Sequence, residues 1–170
     1  MIMFKNNLKN RGYTLLELLF YIAIFSIVSL LIIDSMFSMA RSFKEASIYA
    51  ELSQGGAMME KISREIHQAN SVASMSSTSL KLNTKDEEGA DKIVEFVLLP
   101  FSGPNIEFYE DDVFVANLNS PNIVITDLSF SQITTTHGKA IKVSFSMRSS
   151  NDKLSRVQNF YNTIVLRGSY

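Results

Sequence analysis

A run of apolar side chains occupies residues 15–33, interrupted by Glu17, Ser26 and Ser29. No other feature constrains this chain as strongly. About 19 residues of helix rise roughly 28 Å, close to the hydrocarbon thickness of a bilayer. The run is longer than the apolar core of a secretory signal, and no small-x-small cleavage site follows it. It therefore reads as a retained membrane-spanning helix. Lys5, Lys9 and Arg11 precede it and Asp34 follows it. The positive-inside tendency then keeps the N-terminus in the cytoplasm and exports the body.

Everything after Asp34 has the composition of a soluble domain. A chain of 170 residues is the size of one domain. A hydrophobic fraction of 46% and a net charge of -1 are ordinary for a folded protein and argue against disorder. Without Lys5, Lys9 and Arg11 the remainder is acidic, so bulk attraction does not favour nucleic acid. No basic patch with interleaved aromatics is present either. The chain has no cysteine, so the head must be stable without a disulfide, and thiolate metal sites are excluded.

Helical periodicity continues past the apolar run. Met39, Phe43, Ala46, Ala50, Ala57, Met58, Ile62, Ile66 and Ala69 recur at three- or four-residue spacing, with charged residues on the other faces. The pattern predicts one helix over residues 14–70, with Gly55-Gly56 as its weak point and Asn70-Ser71 as its stop. Residues 74–79 read as a polar loop. Short β-branched and aromatic runs follow at 80–82, 93–99, 106–109, 113–118, 123–130, 141–147 and 162–166. Turn signals separate them at 85–91, 100–104, 119–122 and 134–138. The expected fold class is α+β, with a long N-terminal helix packed against an antiparallel β-sheet head.

The segment Arg11-Gly12-Tyr13-Thr14-Leu15-Leu16-Glu17-Leu18-Leu19 closely resembles the cleavage and methylation signature of the type IV prepilin family. That pattern is a basic leader ending in Gly, an aromatic residue, Thr, aliphatics, and Glu fifth from the cut. The resemblance implies a pilin-like fold and cleavage between Gly12 and Tyr13 by the membrane-embedded prepilin peptidase. It also implies N-methylation of Tyr13, and an assembly role for Glu17 through the N-terminal amine of an adjacent subunit. A carboxylate inside a bilayer costs on the order of 2.5–3.5 kcal/mol, so a compensating amine has a physical rationale. The alternative for Glu17 is a first-turn acid favoured by the helix dipole alone. The implied division is a leader at 1–12, a transmembrane and assembly helix at 13–34, an amphipathic stem helix at 35–71 and a β-rich head at 72–170.

Two departures from many major pilins point to a minor subunit. No proline precedes Pro100, and there is no cysteine pair. The segment from Met59 to Ala69 resembles the stem end of minor pilins of the PilW type and of J-type minor pseudopilins of type II secretion. The pair Ile125-Thr126-Asp127-Leu128-Ser129-Phe130 and Ile141-Lys142-Val143-Ser144-Phe145 is similar to two strands of the same group.

No catalytic constellation is evident, no cofactor is expected, and the chain does not read as an enzyme. His67 falls one residue after the apolar position Ile66, and His137 lies in a polar turn. Two acidic clusters, Asp86-Glu87-Glu88 with Asp91 and Glu110-Asp111-Asp112, carry the oxygen ligands that calcium prefers. They lack an EF-hand pattern and read first as solvated turns, leaving Asp86, Glu88 and Asp91 as the calcium candidates. The expected function is a minor pilin or pseudopilin that helps initiate or cap a filament of a type IV pilus, type II secretion or DNA-uptake system. Its partners would be prepilin peptidase, other pilin subunits, the inner-membrane assembly platform and membrane lipid. The alternative is a single-pass membrane-anchored protein whose head binds DNA, a surface or an exported substrate.

Overall fold

The computed structural model describes residues 14–86, 88–99, 104–135 and 138–167. Gly12, Tyr13, Glu87 and His137 lie outside these described residues, as does the 1–12 leader. Among the described residues, one helix, α1 (Leu15–Gln68), is followed by eight strands in two antiparallel sheets, an α+β architecture. The chain divides into two compact units, Met1–Glu45 and Ala46–Tyr170.

Within the first unit, α1 begins where Thr14 caps it. The Glu17 N–H donates to Thr14 Oγ1 at 3.3 Å, satisfying one of the orphan amides of the first turn. From Leu15 to Phe43 the large apolar side chains are exposed. Their window has a mean hydropathy of 2.6, and none of it is buried inside the chain. A continuous apolar surface of this kind belongs in lipid or against another protein. The helix is long and apolar enough to cross a membrane.

The second unit holds the core. Strands β1 (Ser71–Met75), β2 (Ser79–Lys85), β3 (Asp91–Leu98), β4 (Ile106–Glu110) and β5 (Val113–Asn117) form a five-stranded meander in sequence order. Strands β6 (Ile123–Thr135), β7 (Gly138–Ser149) and β8 (Gln158–Val165) form a second sheet of three. Period-2 alternation sends Leu80, Leu82, Val94, Phe96, Ile106 and Phe108 inward from the first sheet. Ile141, Val143, Phe145 and Met147 do the same from the second. In β6 the buried set shifts phase between Ile125 and Leu128, because a bulge interrupts the register between Ile125 and Asp127. All these side chains join one core with the head portion of α1. Each fully buried Phe or Ile contributes about 1.5–3 kcal/mol relative to exposure.

Three features differ from the sequence reading, each for a physical reason. The buried residues of α1 in the head are Ile48, Glu51, Leu52, Gly55, Met58, Met59, Ile62 and Ile66; Met58, Ile62, Ile66 and the following Ala69 are buried as expected, while Ala46, Ala50 and Ala57 are exposed. Both sets have helical spacing, and the bulkier set wins the core because it buries more area. Secondly, Gly55-Gly56 does not break the helix. A Cβ on Gly55 would lie 2.3 Å from the Phe160 ring, so the glycine admits close approach of that ring, which stacks on Phe145 at 5.1 Å. Thirdly, residues 71–75 are a strand rather than part of a stop and loop. The chain leaves α1 as Asn70 N–H donates to the Asn83 carbonyl at 2.8 Å, and Ser71 then pairs with Asn83. The partner strand, not local propensity, makes β1.

The connection between β7 and β8 is pinned by two acids. Glu51, 8% exposed on α1, accepts hydrogen bonds from Ser149 Oγ and from Asn151 Nδ2, the latter at 2.9 Å. Asp152 accepts from the backbone N–H groups of Leu154 and Arg156, both at 3.0 Å, and from Arg156 Nε at 2.8 Å. The Arg156 guanidinium, aided by those two N–H groups, lowers the Asp152 carboxyl to about 2 against an opposing desolvation effect. A carboxyl depressed on folding adds stability that is present above its unfolded pKa of about 3.9. That contribution is lost as pH falls from about 4 through about 2. Asp152→Asn should therefore flatten the acid limb of the head's stability between these values while leaving its slope near neutrality unchanged. Urea melts at pH 2.5, 4 and 7 check this; an acid limb identical to wild type would contradict it.

Candidate functional site

The residue with the clearest chemical demand is Glu17, in the first turn of α1. Its backbone N–H is held by Thr14, and its side chain is exposed beside Leu15, Leu16, Leu18 and Leu19. An acid here meets the positive end of the helix dipole. One carboxylate oxygen, Oε1, accepts a hydrogen bond from the Tyr21 hydroxyl at 3.3 Å. Sequence reasoning counted Tyr21 with the apolar run and missed this contact. The available signal was the spacing, since a residue four positions on lies over the same helix face.

Residues 7–33 match the family model described as the prokaryotic N-terminal methylation motif. The chain carries this methylation motif. The match supports a type IV prepilin-like protein, a pilin or pseudopilin, and it spans Glu17 together with most of the exposed apolar stretch of α1. No curated protein and no solved structure matches the chain. The motif, with a helix fit to cross a membrane, supports processing by prepilin peptidase and assembly with other pilin subunits.

The remaining candidates sit in the head, where the turn before β3 and the turn after β4 lie side by side at one end of the first sheet. Asp86 is occupied by its own loop: its Oδ1 accepts from the Glu88 N–H at 3.0 Å and the Ala90 N–H at 2.8 Å. Gly89, at φ 85, supplies the left-handed residue that turn requires. Glu88 and Asp91 are exposed beside it. In the second cluster each acid also has a structural task. Glu110 pairs with Lys92 at 2.8 Å, Asp112 pairs with Lys81, and Asp111 Oδ1 accepts from the Ile93 N–H at 2.8 Å. Asp111 and Asp112, at φ 49 and 63, form the left-handed turn between β4 and β5. Hydrogen bonds to the carboxylates raise Lys81 and Lys92 above the ordinary lysine value. Among the described residues, no group of three or more His, Asp or Glu side chains is placed to hold a metal ion. His67 is exposed and lines an open cleft with Glu60, Arg64, Asn162 and Thr163.

Proposed function

We propose that this chain is a minor type IV pilin or pseudopilin, a structural subunit that helps initiate or cap a filament. The filament would belong to a type IV pilus, type II secretion or DNA-uptake system. One observation carries the reading: the methylation motif at 7–33 includes the start of an apolar helix of membrane-crossing length, with Glu17 in its first turn. In this reading the leader at 1–12 is removed between Gly12 and Tyr13, and Tyr13 is N-methylated. Residues 13–34 are both membrane anchor and assembly helix, the rest of α1 to Gln68 is the stem, and the strands from Ser71 onward form the exported head around the stem residues Ile48 to Ile66. The N-terminus faces the cytoplasm because Lys5, Lys9 and Arg11 precede the span. The absence of proline before Pro100 and of cysteine favours a minor rather than a major subunit. The partners are prepilin peptidase, other pilin or pseudopilin subunits, the assembly platform and lipid. The role is structural and needs no cofactor.

The reading makes Gly12 indispensable for processing. A branched side chain there, as in Gly12→Val, should leave the precursor uncut in cells with active prepilin peptidase, visible as one slower band on an immunoblot. Cleavage of Gly12→Val at the wild-type rate would sink the proposed cut site.

A further inference from the structure

Inside hydrocarbon there is no water to satisfy a hydroxyl or a carboxylate, so each must find a partner within protein. Ser26 does this on its own helix, its Oγ donating to the Ile22 carbonyl at 2.8 Å. Glu17 and Tyr21 do it together, with the tyrosine hydroxyl reaching Oε1 at 3.3 Å. Helical side chains lean toward the N-terminus, so Tyr21 extends back over the turn that carries Glu17. A phenylalanine at position 21 would suit lipid better. The hydroxyl has a purpose at this depth if it serves the carboxylate one turn away.

We infer that Tyr21 is a positioning residue for the assembly contact of Glu17. Its hydroxyl holds Oε1 and turns the carboxylate so that Oε2 meets the α-amine of a neighbouring subunit. The inference rests on the proposed intersubunit role of Glu17. An ionised carboxylate offers about four lone-pair sites, so the hydroxyl of the same chain and the amine of the next bind it together. Tyr21 thus fixes the direction of the only acid within residues 15–33. It also gives that acid a partner while the subunit waits in the membrane.

The test uses the full precursor in its native host, with a photo-crosslinking residue replacing Leu16. The quantity read is the yield of the adduct whose second component carries an N-terminal methylation motif by mass spectrometry. Tyr21→Phe keeps the ring and should insert and be cleaved as wild type, with the adduct reduced about threefold or more, the scale of side-chain hydrogen bonds in bilayers. Tyr21→4-aminophenylalanine restores an N–H donor at the same reach and should restore the yield. A wild-type yield from Tyr21→Phe overturns the inference. Equal losses from both variants also overturn it, because ring packing rather than donation would then be at work. Glu17→Ala is run alongside. If it loses the adduct while Tyr21→Phe does not, the Glu17 reading stands and the Tyr21 role falls. If Glu17→Ala keeps the adduct, both fall.

Discussion

Replacing Glu17 with alanine is expected to leave membrane insertion and cleavage intact and to abolish incorporation into the filament or its initiating complex. Insertion is preserved because removing a carboxylate from the span lowers a cost of about 2.5–3.5 kcal/mol. Cleavage is preserved because Lys5, Lys9, Arg11 and Gly12 are unchanged. In the proposed intersubunit pairing, assembly fails because the amine of the adjacent subunit would lie in hydrocarbon without its counter-charge. Breaking a buried ion pair by removing one partner costs about 3–5 kcal/mol, which is over roughly a hundredfold in an association equilibrium. A helix-dipole role alone would give about 0.3–1 kcal/mol and near-normal assembly. Membrane fractionation, a cleavage blot and cross-linking on the same mutant separate the two. Normal cross-linking of Glu17→Ala would refute the intersubunit pair.

The second large effect lies in the head. Gly55→Ala puts a methyl group 2.3 Å from Phe160, and Phe160 is backed by Phe145 at 5.1 Å. Either the ring leaves its stack or the helix moves off the sheet, and overpacking of this kind costs about 1–3 kcal/mol. The gain in helix propensity from Gly to Ala, about 0.5–1 kcal/mol, offsets only part of it. Gly56→Ala is the matched control. A Cβ there meets nothing within 4 Å, so only the propensity gain remains and the head should become slightly more stable. Denaturant melts of a chain beginning near Ser42 would show the two substitutions moving the midpoint in opposite directions. Phe160→Leu should relieve part of the Gly55→Ala cost, a coupling that independent sites would not show. Equal, small stabilisation by both alanines would mean Phe160 does not rest on Gly55.

How much of this was readable in advance depends on where each signal is stored. The apolar helix was plain in sequence, and α1 is long and apolar enough to cross a membrane. The strand pattern of 141–147 was equally plain, since Ile141, Val143, Phe145 and Met147 alternate with polar residues and do face the core. The inner face of α1 was legible from Met58 onward, where Met58, Ile62, Ile66 and the following Ala69 are buried as expected, but not before Gly55, where two stripes of helical spacing compete and the bulkier Ile48 and Leu52 go in rather than Ala46 and Ala50. Strand β1 was missed because Ser71-Val72-Ala73-Ser74-Met75 has little propensity of its own and takes its conformation from pairing with β2. The acidic clusters looked alike in sequence. The structure shows their carboxylates closing turns and pairing with Lys81 and Lys92, which no local pattern reveals. At the candidate site, Glu17 was visible as a misplaced charge, whereas Tyr21 hid among apolar neighbours because its ring fits lipid and only its hydroxyl does not.

The central claim is that the chain is processed and assembled as a pilin-like subunit, and the mature N-terminus tests it most directly. Intact-mass and N-terminal peptide mass spectrometry should be run on the native protein from cells with active prepilin peptidase. The account predicts a chain that starts at Tyr13 and carries one methyl group on its α-amine. A native protein that still begins at Met1, or is cut elsewhere, would contradict it.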